Sequence, residues 1–369
     1  MPTLGKRLLA AAILVLALIA MNAYMSDEGL FGFGIPPYYA RVIMLAGINV
    51  ILAVSLNLIT GFTGQFSIGH AGFMAVGAYS SAYLTVYYGQ AWERSLAGVV
   101  GGTVAHVLIF LLAILVGALV AALAGLLVGI PSLRLRGDYL AIVTLGFAEI
   151  IRIVILNIDK VGGATGFTVP GYTNFLWVGG FAVITIVIVY NIVHSDMGRA
   201  LISIREDELA AEAMGINTTR YKVLSFVISS ALAGMAGVLF GHYTQFLSTN
   251  DFQFIRSFEI IIMIVLGGMG SLTGAVFGSI VITLLPELLR KLPGDASKYR
   301  LVVYSALLII IMLTRPQGIL GTREFGLSWL KRARKRPEGT QAVGASNGVP
   351  MAEHTKPSSL DREKEAGNL

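Results

Sequence analysis

Apolar positions in this chain come as long unbroken runs, with the charged and polar residues gathered between them. Runs at Leu8–Met25 and near 42–59, 73–88, 105–130, 139–157, 177–194, 223–240 and 301–314 lie close to the ~18 residues that argue for a membrane span. One further run, 257–285, is too long for an ordinary span and is interrupted by Gly267, Gly268, Gly270, Gly274 and Gly278. The pattern predicts an all-α polytopic membrane protein of about 8–10 transmembrane helices with glycine-rich broken or re-entrant segments. The first run follows Lys6 and Arg7 and lacks a small-x-small cleavage site, so it reads as an uncleaved span.

Two glycine-rich stretches mark breaks. Residues 60–72 alternate glycine with Thr63, Gln65, Ser67 and His70, and residues 266–278 repeat the texture around Gly268 and Ser271. Irregular backbone is tolerated at membrane depth only where protein buries it or where it lines a wet cavity. Paired interruptions in two halves of a transporter point to a transport pathway. The competing reading is a loop with close-packed helices. His70 has no carboxylate or second histidine at metal spacing. Glu149 and Arg152, three residues apart in one predicted span, share a face and read as an ion pair first and a substrate contact second. Gly162, Gly163, Thr165 and Gly166 then form a turn-rich outer loop that either caps a pathway or moves freely at the surface.

The segment 195–222 predicts a short helix near 204–214. Ser203 and Glu206 fit a capping box, Glu206, Asp207 and Glu208 load its first turn with negative charge, and Gly215 is a natural stop. Its small Ala210, Ala211 and Ala213 suit a groove on another protein, against the alternative of a plain connector.

Composition sharpens the class. Hydrophobic residues make up 55% and charged residues 13%, about half the charged share of soluble domains. Glycine, at 43 residues, is well above the usual ~7%, as expected where helices approach closely. No cysteine is present, which excludes disulfides and thiol chemistry. Basic residues orient the bundle: Arg134, Arg136, Arg199, Arg205, Arg220, Lys222 and the Lys331–Arg336 cluster fall on the side of Lys6 and Arg7. This places both termini in the cytoplasm, provided that 257–285 dips in and returns as a broken pair. Residues from about 337 onward lack apolar periodicity and predict a disordered tail. No His-Glu-x-x-His pair, Gly-x-Ser-x-Gly elbow or phosphate-binding loop occurs, so metal-dependent hydrolysis, nucleophilic hydrolysis and ATP binding by this chain are not expected.

Several stretches carry a family resemblance. The run Asn57…Gly61-Phe-Thr-Gly-Gln-Phe-Ser-Ile-Gly-His-Ala-Gly-Phe…Gly77-Ala-Tyr, the run Leu133-Arg-Leu-Arg-Gly-Asp-Tyr-Leu-Ala-Ile, and the segment Gly198-Arg-Ala-Leu…Glu208-Leu-Ala-Ala…Met214-Gly-Ile resemble ABC importer permeases for branched-chain amino acids. Leu266-Gly-Gly-Met-Gly-Ser-Leu-Thr-Gly and Pro316-Gln-Gly are similar to the same family, in particular to the M-type subunit of the leucine/isoleucine/valine system. The importer motif Glu-Ala-Ala-x-x-x-Gly is kept as Ala210-Ala211…Gly215 with the acid displaced to Glu208. The resemblance implies a first span and outer loop at 1–38, a permease domain at 39–320 with a coupling loop at 195–222, and a basic cytoplasmic tail at 321–369. It implies the bacterial inner membrane, an H-type permease partner, two cytoplasmic ATPases and a periplasmic binding protein. This chain would bind no cofactor and no nucleic acid, with ATP and magnesium held by the ATPases. Gln65, Ser67, His70, Glu149, Arg152, Gly268 and Ser271 are the expected pathway-lining residues. Arg205, Glu208, Ala210, Ala211 and Gly215 are expected to couple to the ATPase, and Gly162, Gly163 and Thr165 to form the outer loop. Two other readings compete: the same architecture carrying urea, amides or another small solute, and a self-sufficient secondary transporter or channel.

Cysteines placed at Ser297 and Ser328 test the broken pair at 257–285. In intact cells an impermeant maleimide should label the first and spare the second; equal protection of both would overturn that topology.

Overall fold

The computed structural model describes residues 36–133 and 138–290, with single positions between 16 and 23 and between 302 and 321. Most of the first apolar run, residues 291–300, most of 301–314, the basic segment 134–137 and the C-terminal tail lie outside the described residues.

Every apolar run expected between 42 and 240 forms a helix. Helix α1 (Pro37–Asn57) starts on a proline, whose missing N–H costs nothing in the first turn, and ends in a π-helical turn, Leu58–Phe62. Helix α2 (His70–Leu84) ends in a second π turn, Thr85–Gly89, and leads into α3 (Gln90–Val100). Then come α4 (Gly102–Ser132), α5 (Asp138–Leu156) and α6 (Phe175–Val193). Two short helices, α7 (Asp196–Glu206) and α8 (Glu208–Ala213), precede the long α9 (Thr218–Thr244). The stretch 257–285 is broken as expected, into α10 (Phe254–Gly267) and α11 (Leu272–Arg290). Six of the described helices are long and apolar enough to cross a membrane. The chain is a multi-pass membrane protein.

Two strands, β1 (Phe167–Thr168) and β2 (Phe246–Leu247), pair antiparallel with Phe167 opposite Leu247. The arms of the α10–α11 hairpin pack side by side: a Cβ on Gly278 would meet the backbone of Met263 and Gly267, and one on Gly274 that of Gly267.

Helices α1 and α9 are enclosed by the others. Their burial follows from small residues, because lipid supplies no hydrophobic drive between helices and close van der Waals packing must hold them. Helices α2, α4 and α9 meet through glycine: a Cβ on Gly77 would stand in the backbone of Gly234, one on Gly237 in that of Met74, and one on Gly117 in the side chain of Val238. On the outer flank of α4, Leu115, Leu119, Leu123 and Leu127 are exposed at four-residue spacing. They form one face as apolar as lipid tails.

Gly77→Ala and Gly234→Ala should each destabilise by about 1–3 kcal/mol through overpacking, read as a shorter half-life of the detergent-solubilised protein at fixed temperature. Gly180→Ala, where a Cβ meets nothing within 4 Å, should leave that half-life unchanged.

Candidate functional site

The break after α1 is built from carbonyls that a regular helix would have satisfied. At the end of the π turn, the Leu58 carbonyl accepts from Thr63 Oγ1 at 2.8 Å and the Ile59 carbonyl from the Gln65 N–H at 3.0 Å. The Gly61 carbonyl accepts from Arg205 Nη1 at 3.0 Å. The chain then runs without regular structure to α2, where Thr144 Oγ1 accepts from the Ile68 N–H and Ser257 Oγ from the Ala71 N–H.

One side chain joins this break to the second. Asn57, 0% exposed, donates from Nδ2 to the Ser271 carbonyl and accepts at Oδ1 from the Gly270 N–H, each at 3.0 Å. Ser271 Oγ in turn accepts from the Gly274 N–H at 3.0 Å, which caps α11. Gly268 (φ 122°) and Gly270 (φ 80°) supply backbone angles that side-chain-bearing residues rarely adopt.

The expected pathway residues fall at two levels. Gln65, Ser67, His70, Gly268 and Ser271 belong to the joined breaks. Gln65 is half-buried and reaches the surface, whereas Ser67 and His70 are enclosed, with His70 Nε2 2.8 Å from Ser55 Oγ. Glu149 and Arg152 stand elsewhere. Their ion pair (2.7 Å) is completed by the Phe254 N–H, which donates to Glu149 Oε1 at 3.2 Å. Phe254 opens α10 and the second break closes it, about 20 Å away along the helix. The carboxylate thus serves a helix N-terminus, where negative charge is favoured. Sequence reasoning missed a polar network beside it: Arg256 donates to Asn49 Oδ1 (2.6 Å) and Glu259 Oε2 (2.7 Å), and Asn49 donates to Thr283 Oγ1 (2.8 Å). An isolated Asn within the apolar run 42–59 was the available signal.

The segment 195–222 requires a correction. Ser203 and Glu206 do not form a capping box: both lie in α7, and the Ser203 hydroxyl donates to the Ala200 carbonyl within it. Asp207, in extended geometry, separates α7 from α8 and caps the latter, accepting from the Leu209 and Ala210 N–H groups at 2.9 and 3.0 Å. The three consecutive acids therefore divide between two helices instead of loading one first turn. The expected stop holds: Gly215 (φ 86°) closes α8, with its N–H bonded to the Glu212 carbonyl and that of Ile216 to the Ala211 carbonyl, the Schellman pattern.

Glu208 and Ala211 face the chain itself. Glu208 pairs at 2.5 Å with Lys222, a buried lysine of α9, and the Thr218 hydroxyl donates to Glu212 at 2.7 Å. Ala211 is buried beneath α8, while Ala210, Ala213 and Gly215 are exposed. Leu209 (63% exposed) and Met214 (83%) stand out beside them. The outward surface therefore takes in Leu209, Ala210, Ala213, Met214 and Gly215, without Ala211.

The loop with Gly162, Gly163 and Thr165 is tightly held. Thr165 bonds the Gly162 carbonyl through both its hydroxyl (2.7 Å) and its N–H (2.9 Å), and Tyr87 donates to the Lys160 carbonyl at 2.8 Å. Gly162, Gly163 and Gly166 all have positive φ, and a Cβ on Gly166 would enter the Phe246 ring. In the following loop Tyr172 lies against Phe110 and His106; burial, then Glu93, raises its phenol above the ordinary value.

Asn57→Ala would strand the Gly270 N–H and take a donor from the Ser271 carbonyl. It should cost about 1–3 kcal/mol, read as faster thermal inactivation of the solubilised protein. An unchanged rate would show that the two breaks are held together by other contacts.

Residues 38–312 match the family described as branched-chain amino acid transport system / permease component. The high-affinity branched-chain amino acid transport system permease protein LivM of Escherichia coli is 32% identical over 86% of this chain and 76% of its own length. LivM of Salmonella typhimurium is 32% identical over 74% of this chain and 68% of its own. LivH of Escherichia coli is 35% identical over 40% of this chain and 47% of its own. With a match that spans most of its length and carries both breaks and the α7–α8 segment, the chain belongs to the branched-chain amino acid permease family of ABC transport systems.

Proposed function

We propose that this chain is the M-type permease subunit of an ATP-driven importer that carries branched-chain amino acids across the bacterial inner membrane. It works beside an H-type permease, two cytoplasmic ATPases and a periplasmic binding protein, with ATP and magnesium bound by the ATPases alone. The names of the LivM and LivH relatives support the substrate and the H-type partner. Both termini and α7–α8 are cytoplasmic in this reading. The observation that carries it is α8: a helix outside the spans, fastened to α9 through Glu208–Lys222, with Leu209, Ala210, Ala213 and Met214 turned outward.

In the mechanism, the ATPases close on ATP and displace α8. The spans swing between outward-open and inward-open states, and the solute passes without covalent change. Gln65, with Ser67, His70, Gly268 and Ser271 behind it, lines the pathway at the level of the joined breaks. Glu149 and Arg152 set its other level, and the loop around Gly162, Gly163 and Thr165 covers it from outside. A polar solute finds hydrogen bonds at Gln65 that apolar spans cannot offer.

In proteoliposomes holding the whole complex, wild type should import leucine, isoleucine or valine only with ATP inside. Leu209→Asp together with Met214→Asp should lose the ATPases on co-purification and lower solute-stimulated hydrolysis at least about tenfold, equivalent to ~1.4 kcal/mol of lost coupling. Thr219→Ala, at an exposed position just beyond the turn, should behave as wild type. Full stimulated hydrolysis in the double variant would show that α8 is only a connector.

A further inference from the structure

Among the described residues three places go beyond the pathway and the outward face of α8: two without an assigned role, and one, Arg205, expected only to couple to the ATPase. The first is the polar network of Asn49, Arg256, Glu259 and Thr283, whose side chains bond one another, with Thr283 donating on to the Ser279 carbonyl. The second is an open apolar pocket of about 340 Å³ between α2, α3 and α4, lined by Ser80, Tyr83, Leu84, Tyr88, Trp92 and Val116; nothing shows what fills it. The third is Arg205, and there the geometry is specific.

Arg205 lies in the last turn of α7, just before Asp207 opens α8. Its guanidinium divides its donors. Nε and Nη2 hold the Glu206 carboxylate at 3.1 and 2.6 Å, while Nη1 reaches across 144 residues of sequence to the Gly61 carbonyl at 3.0 Å. Its stem lies over Gly64, where an added Cβ would come within 2.8 Å of Arg205 Cγ. Its Nη1 lies against Gly270, where an added Cβ would come within 2.9 Å. Both glycines have positive φ, and both leave the space the guanidinium fills. One side chain thus touches the first break at Gly61 and Gly64, the second at Gly270, and the segment that carries α8.

The chemistry suits arginine alone. The carbonyl ends of α7 and of the Leu58–Phe62 turn both converge on it, and a cation is favoured at each. A planar fork can hold a carboxylate with two donors and still present a third elsewhere. A lysine ammonium in the same place would keep the charge and lose the geometry.

We propose that Arg205 is a positioning residue that transmits motion: it ties α7–α8 to both broken segments so that a displacement of α8 moves them as one body. The proposal rests on the transport reading above for what displaces α8. It separates the surface that meets the ATPase, on α8, from the link that carries the movement inward.

The test uses the complete reconstituted complex and spin labels on cysteines placed in this cysteine-free chain. Labels at Arg199, whose side chain on α7 is exposed, and at exposed Met269 should keep one separation with and without a non-hydrolysable ATP analogue and magnesium. A label pair at Arg199 and Phe246 should change. In Arg205→Ala the first separation should become nucleotide-dependent, and ATP consumed per amino acid imported should rise at least about tenfold. Basal hydrolysis and co-purification of the ATPases should stay at wild-type levels, and Arg205→Lys should recover only part of the ratio. An Arg205→Ala complex with the wild-type ratio and a constant Arg199–Met269 separation would overturn the proposal. So would loss of the ATPases on purification, which would place Arg205 in the docking surface. A wild-type complex that imports no branched-chain amino acid would instead overturn the transport reading, and the label separations would still decide whether the tie exists.

Discussion

Backbone that leaves its helix inside a packed bundle must find its hydrogen bonds within the protein, and the layout of this chain turns on how two such departures meet that demand together. The Leu58–Phe62 turn ends in carbonyls without helical partners, and the 268–271 turn presents an N–H that α11 cannot use. The Asn57 amide can both donate and accept, and it does each toward the second turn, while Arg205 supplies the first. A carboxylate at position 57 could accept but not donate, and an apolar residue could do neither. The pairing therefore sets more than local geometry. It places the ends of α1 and α10 and the start of α11 at one point, and brings the end of α7 beside them.

That convergence is possible only because the surrounding helices come very close. Gly77, Gly117, Gly234 and Gly237 remove the side chains that would hold α2, α4 and α9 apart, and in lipid such proximity is itself the source of helix association. Close packing and the breaks are linked. Helix α2 has only 15 residues, begins after irregular backbone and ends in a π turn, so it spans little by itself and depends on its neighbours for position. π turns are frequent at functional sites, and here the first, Leu58–Phe62, marks where enclosed α1 hands over to irregular backbone.

Much of the architecture was legible in the sequence, because a membrane writes its requirement as run length. The breaks were legible too, since Gly267–Gly274 and Gly61–Gly72 cannot continue an apolar run smoothly. Partners across the fold were not. Nothing in the runs said that Asn57 would bind Ser271, or that Glu149 would accept from the first N–H of α10. Such pairings are set by which helices come together. The misplaced cap in 195–222 has a local cause. Glu206, Asp207 and Glu208 look alike as a run of acids, but only Asp207 is both short enough to cap its own following turn and placed where the chain becomes extended. The inward face of Ala211 was hidden for a similar reason: a run of alanines shows no amphipathic stripe until Lys222 and Thr218 reveal which side is fastened.

A six-residue helix is far below the length at which helices hold in water, so the stiffness of α8 must come from outside it. Asp207 fixes its first N–H groups, and the Gly215 turn closes its last carbonyls. Glu208–Lys222 and Glu212–Thr218 pin one side to α9, with Ala211 packed between. The Lys222 ammonium is buried, and charge removed from water is costly unless its partner is close and well placed. Apolar residues at 208 and 222 could supply contact at less cost. They would not supply direction, because apolar contact tolerates sliding where a short ion pair does not. An element proposed to receive a push and pass it on through Arg205, two residues before its cap at Asp207, needs that fixed direction more than it needs added stability.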